Sequence, residues 1–110
     1  MSAIGISTHV LDTSLGKPAE GVPVVFESED GIELARGTTD TDGRIGNLLP
    51  GGVSEDGTYR IRFDIRHYYV GFAHHAFFPE VTICVSLEAG KKYHLPLLLS
   101  PYGYSTYRGS

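Results

Sequence analysis

The chain has 110 residues, 41% of them hydrophobic and 20% charged, which describes one globular domain large enough to hold a core unaided. A formal net charge of −4 with no basic patch argues against a nucleic-acid partner. The single cysteine, Cys84, excludes an internal disulfide, no C-x-x-C pair offers a structural zinc, and no apolar run approaches the roughly 18 residues that span a membrane.

The start, Met1-Ser-Ala-Ile-Gly-Ile6, lacks the basic and apolar stretches of a secretory signal, which predicts a soluble cytoplasmic protein. A periplasmic or peroxisomal protein read without its targeting segment would look the same. No repeat, linker or low-complexity stretch divides the chain, so residues 1–110 read as one domain.

Period-two alternation dominates, punctuated by fourteen glycines and six prolines, and predicts short antiparallel strands with tight turns. The first strand is expected over 4–12, with Ile4, Ile6 and Val10 on one face and Ser7, His9 and Leu11 on the other. A loop over 13–21 is marked by Gly16, Pro18 and Gly21. The second strand spans 22–28 with Val22, Val24 and Phe26 sharing a face, and Asp30-Gly31 turns the chain into a third over 32–38. Residues 40–44 form a polar loop closed by Asp42-Gly43, and 45–49 make at most a short edge strand.

The clearest strand is 58–65, where Tyr59, Ile61, Phe63 and Ile65 alternate with Arg60, Arg62 and Asp64. Residues 66–73 break the alternation and suit a short helix, and 74–80 form a loop held by Phe77, Phe78 and Pro79. Residues 81–88 place Val81, Ile83, Val85 and Leu87 inward. Residues 92–100 place Tyr93, Leu95, Leu97 and Leu99 on one face and His94, Pro96, Leu98 and Ser100 on the other. The last strand is expected over 104–109. Seven or eight short strands at this spacing predict an all-β sandwich.

Three second faces lack the charges of a solvated surface: His94, Pro96 and Leu98; His9 and Leu11; and Ser105 and Tyr107. They read as half-buried, as a subunit interface would bury them, and they put His9, His94 and Tyr107 at the rim or floor of an interface cleft.

His9 and His94 are each either a general base suited to neutral pH or a strand histidine bonded to a neighbour. Arg44, after Asp42-Gly43, offers a planar fork of donors to an anion or a flat amide ring, or is a solvated turn residue; Arg108 has the same two readings. Ser110 and a terminal carboxylate either orient substrate or water, or fray. No G-x-S-x-G elbow supports a nucleophilic serine. The His74-His75 doublet is a poor chelate, and a zinc held by His9, His94 and one of that pair lacks a carboxylate or thiolate to complete it. Cys84 reads as an unreactive thiol and His67 as a surface residue. Asp40 and Asp42 lack the downstream glutamate of a calcium loop.

Four segments together resemble the transthyretin-related 5-hydroxyisourate hydrolases: Ser7-Thr-His9-Val-Leu-Asp12 with Gly16-Lys-Pro-Ala-Glu-Gly21; Thr41-Asp-Gly-Arg44; Phe77-Phe-Pro-Glu80; and the run from His94 to Ser110. The resemblance covers the chain from about residue 4 onward. Its most specific part is Tyr107-Arg-Gly-Ser110, which in this family separates the hydrolases from transthyretin proper, the hormone carrier.

The resemblance implies a transthyretin-like (prealbumin-like) sandwich of two four-stranded sheets with one short helix. It implies a homotetramer built as a dimer of dimers, with the site in the central channel. The site carried over is His9, Arg44, His94 and Ser110 for catalysis, with His9, Arg44, Tyr107, Arg108 and Gly109 holding substrate. The implied reaction is hydrolysis of 5-hydroxyisourate to 2-oxo-4-hydroxy-4-carboxy-5-ureidoimidazoline, in purine catabolism from urate to allantoin, with no metal or organic cofactor, no nucleic acid and no membrane. The rival implied by the same sandwich is a hormone or small-ligand carrier without catalysis.

Overall fold

Residues 3–72 and 75–110 are described by a computed structural model of the chain. The strands are β1 (Gly5–Asp12), β2 (Lys17–Pro18), β3 (Pro23–Ser28), β4 (Glu33–Thr38), β5 (Arg44–Ile45), β6 (Gly57–Asp64), β7 (Glu80–Leu87), β8 (Lys92–Ser100) and β9 (Gly103–Thr106). One helix, α1 (Ile65–Val70), follows β6. Asp64 caps it by accepting from the His67 N–H at 3.0 Å, so the helix starts one residue before the break in alternation suggests.

Two sheets face each other. One runs β4-β3-β6-β7, antiparallel throughout. The other runs β2-β1-β8-β9, with β5 also on β1. Alternation sets what lies between them: Ile4 just before β1, Ile6 and Val10 of β1, Val24 and Phe26 of β3, Ile61 and Phe63 of β6, Val81 of β7, and Leu97 and Leu99 of β8 are all buried. Ile83 and Val85, expected inward, are only half-buried.

Three features differ from the sequence expectation. First, β1 and β8 pair in parallel, from Gly5 opposite Lys92 to Asp12 opposite Leu99. No hairpin joins these strands, so turn geometry does not dictate their direction. Second, the two-residue strands β2 and β5 share the other edge of β1, at Leu11–Asp12 and at Thr8–His9 respectively, which gives that sheet five strands. They cover an edge that would otherwise present unpaired amides.

Third, β9 ends at Thr106 instead of running to Gly109. Thr106 pairs with Leu97, and the next residue of β8 is Pro96, which has no N–H to donate. The Thr106 hydroxyl donates to the Pro96 carbonyl instead, at 2.7 Å. The same register resumes three residues on as a single bridge between His94 and Gly109, closed by Gly109 N–H to the His94 carbonyl at 2.8 Å.

The end of β1 is tied to the helix by a buried carboxylate. Asp12 Oδ1 accepts from the Ser14 N–H, the Ser14 hydroxyl and the Leu15 N–H, and Oδ2 accepts from the Tyr68 hydroxyl at 2.7 Å. Burial works to raise the Asp12 pKa, but these bonds together hold it below its ordinary value. Asp12→Ala should cost about 3 kcal/mol in urea unfolding, because Tyr68 is left with a buried unpaired hydroxyl. Asp12 is depressed in the folded state, so its contribution is complete above the ordinary carboxylate pKa of 3.8 and is lost as the pH falls through the folded value. The variant should therefore lose less stability than the parent on acidification below that point. An equal acid dependence of the two would show that folding leaves the Asp12 pKa unchanged.

Candidate active site

The site is built where β1, β5, β8 and the tail after β9 meet. His9 stands directly opposite Arg44 in the antiparallel β1–β5 pair, so the two side chains leave one face. Ser7 stands opposite His94 in the parallel β1–β8 pair, on that same face of β1. Both histidines are half-buried on this outward face.

The turn before β5 aims Arg44. Asp40 Oδ1 accepts from the N–H groups of Asp42 and Arg44, each at 2.9 Å, which gives this aspartate a structural use in place of cation binding. Gly43 sits at φ +73, and a Cβ there would collide with the Val10 carbonyl oxygen. That oxygen and the Val10 N–H bracket the turn, the N–H donating to the Gly43 carbonyl at 2.7 Å. Only glycine fits, so the Asp42-Gly43 pair fixes Arg44 against the middle of β1.

Ser7, Thr8, Arg44, Ile45, Gly46, His94 and Ser110 line an open cleft of about 440 Å³. Three residues expected at the site, Arg44, His94 and Ser110, thus meet in one cavity of the single chain. His9 adjoins it through its pairing with Arg44. Burial first, then the charge of Arg44, then His9, hold the His94 pKa below the ordinary 6.5. At neutral pH His94 is therefore an unprotonated imidazole beside a guanidinium, which is what a general base at an anion-stabilising site requires.

Ser7 is the site residue that the sequence reading placed on the right face without a role. Its Oγ lies 2.8 Å from His94 Nδ1. The signal was its position two residues from His9 on an alternating strand.

The tail divides by parity. Gly109 backs directly onto the imidazole: a Cβ at this position would stand 2.6 Å from His94 Cδ2. Arg108 lies over Tyr93, its guanidinium carbon 5.0 Å from the ring centre, and lines a second cavity of about 180 Å³ that it shares with His94, Ile6, Val85, Leu87 and Leu95. Tyr107 is 57% exposed and Ser105 is exposed, so their face is not half-buried in the single chain as alternation suggested. Residues 107 and 108 leave the ladder at Pro96, while Ser105 stays in β9 opposite Leu98, on a face expected to be covered by a neighbouring subunit.

The remaining candidates separate from this centre. Cys84, His67 and His75 are exposed on other surfaces, and His74 lies outside the described residues. Among the described residues no group of three His, Cys, Asp or Glu side chains is arranged to hold a metal ion. No described helix is long and apolar enough to cross a membrane.

Residues 6–109 match the sequence model described as the HIUase/Transthyretin family. The chain belongs to the HIUase/Transthyretin family. A family relative from Salmonella dublin, named 5-hydroxyisourate hydrolase, is 44% identical over 109 residues, covering 96% of this chain and 80% of the relative. The solved 5-hydroxyisourate hydrolase of Klebsiella pneumoniae superposes with a TM-score of 0.88 at 36% identity, covering 96% of this chain and 99% of that one. Sea bream transthyretin in complex with thyroxine superposes with a TM-score of 0.85 at 30% identity, covering 94% and 93%. Both branches of the HIUase/Transthyretin family thus share the sandwich, and the shape alone does not separate hydrolase from carrier.

Proposed function

We infer that this chain hydrolyses 5-hydroxyisourate, opening its ring to 2-oxo-4-hydroxy-4-carboxy-5-ureidoimidazoline on the route from urate to allantoin. The observation that carries this reading is the cleft in which a neutral His94, the Arg44 guanidinium and Ser110 meet. A half-buried imidazole whose protonation is disfavoured beside a guanidinium suits water activation next to a developing oxyanion. The relatives named as hydrolases add to it.

In this reading His94 takes a proton from water as the water oxygen bonds to the ring carbonyl carbon. Arg44 binds the flat ring edge and the oxyanion that forms. The tetrahedral centre then collapses, the carbon–nitrogen bond breaks, and the proton returns to the leaving nitrogen, leaving a carboxylate. His9, beside Arg44, helps hold the substrate and move the proton, and Ser110 orients substrate or water. Tyr107 narrows the opening and Gly109 closes the wall behind the imidazole, whereas Arg108, expected to hold substrate, is folded onto the Tyr93 ring outside the cleft of the single chain.

The unit is one transthyretin-like domain, and four copies form the working assembly. The exposed Tyr107 and Ser105 and the open cleft are the surfaces that apposed dimers would cover. A carrier reading would need the channel open for a hormone, and in the hydrolase reading the Tyr107-Arg-Gly-Ser110 tail narrows it, Ser110 lining the cleft.

The test generates 5-hydroxyisourate from urate with urate oxidase and follows its ultraviolet decay. Added protein should accelerate the decay well above the spontaneous rate, and sedimentation of the same sample should give four chain masses. Decay at the spontaneous rate would leave the carrier reading standing.

A further inference from the structure

The hydrolase reading above assigns His94 to water activation but does not say which ring nitrogen acts. Ser7 decides this. Ser7 and His94 are paired across the parallel β1–β8 ladder, with Ser7 Oγ 2.8 Å from Nδ1. The same hydroxyl donates toward the Tyr93 carbonyl oxygen at 3.5 Å. A hydroxyl has one proton to give. Directed to the carbonyl, it leaves the oxygen free to accept, and Nδ1 then carries the imidazole proton. The ring's other edge is closed at Cδ2 by Gly109, so the imidazole is held on both sides.

We propose that Ser7 is a positioning residue that fixes the proton of His94 on Nδ1 and leaves the Nε2 lone pair as the base that takes a proton from water. The relay runs from Nδ1–H to Ser7 Oγ and from its hydroxyl to the Tyr93 carbonyl. It works as a carboxylate does when it orients a catalytic imidazole, but with a neutral acceptor. A neutral acceptor leaves the imidazole pKa low, where a carboxylate would raise it. Among the described residues the titratable and charged groups that face His94 are His9 from β1, Arg44 from β5, Tyr93 from β8 itself, and Arg108 and the Ser110 carboxylate from the tail.

The experiment compares the full chain with Ser7→Ala and Ser7→Thr across pH, and records the histidine nitrogen-15 spectrum of each. Ser7→Ala should lower kcat by about 10- to 100-fold, the usual cost of removing an orienting partner, with KM changed little. Its acid limb should move to lower pH, because an acceptor that stabilises the imidazolium has gone. Ser7→Thr should restore most of kcat. The parent spectrum should show His94 protonated at Nδ1, with a mixture of tautomers in Ser7→Ala.

An unchanged kcat in Ser7→Ala, an acid limb that moves up, or a parent spectrum with the proton on Nε2 would overturn the assignment. The last two mean that the hydroxyl donates to the ring. The spectrum is read whether or not the parent turns over 5-hydroxyisourate, so failure of the hydrolase reading and failure of this one are told apart.

Discussion

His94→Ala is expected to slow 5-hydroxyisourate hydrolysis by about a hundred- to ten-thousand-fold, the usual range for loss of a general base. The loss should fall mainly on kcat, because His94 is assigned to the proton and Arg44 to the ring. The fold should survive, since His94 lies on the outward face of β8 and is only half-buried.

The parent pH profile carries a second, signed expectation. Burial, then Arg44, then His9, depress the His94 pKa below 6.5. The neutral imidazole therefore persists to lower pH than a free histidine would allow, and the acid limb of kcat/KM should lie below 6.5. Arg44→Met withdraws one of the depressing charges, so its limb should move back up toward that value while KM rises. A parent limb above 6.5, or His94→Ala within tenfold of the parent, would remove His94 from the base role.

Gly109→Ala should be nearly as damaging, although it adds one methyl group to an exposed tail. That methyl would stand 2.6 Å from His94 Cδ2, 3.2 Å from Cγ and 3.3 Å from Cβ, inside contact distance of a ring already bonded to Ser7 on its far edge. Either the imidazole rotates and breaks that bond, or the tail lifts and takes Ser110 out of the cleft. Both displace a reacting group by about an ångström, a misplacement that can cost a hundredfold.

We expect activity down by about a hundredfold or more, with the thermal midpoint within a few degrees of the parent, because residue 109 lies beyond the last strand and is held by a single bridge to His94. Stopped-flow decay of the substrate and a circular-dichroism melt on the same preparation check both halves. Activity within twofold of the parent would show that the tail adapts and does not clamp the ring.

How much of this was legible beforehand follows from what each residue needs in order to act. The strand over 58–65 declared itself because one face is Tyr59, Ile61, Phe63 and Ile65, and that periodicity is local. The parity of β1 and β8 was local too, and it set His9 and His94 on the face away from the core before any partner was known. The direction of β1 against β8 was not legible, because no turn connects them and nothing in either strand encodes the pairing. The early end of β9 was written in Pro96, but only a chain whose register on β8 is known reveals which residue faces that proline. Ser7 was visible on the right face. Its role needed the residue opposite it, which lies 87 positions away. The short turn at Asp42-Gly43 was the exception among site elements: two residues announced it, and the collision that a side chain at Gly43 would cause explains why.

The parallel pairing of β1 with β8 also bears on when the protein becomes competent. β1 is made 87 residues ahead of the partner it pairs with, so the centre closes across a long loop of chain. Loops of that length are closed late, and structures dominated by such pairings fold slowly. The β3-β4 and β6-β7 neighbours can form while the centre is still open. Recovery of hydrolysis after dilution from denaturant should therefore lag behind recovery of strand signal, and a nascent chain still missing β8 has no centre to recover.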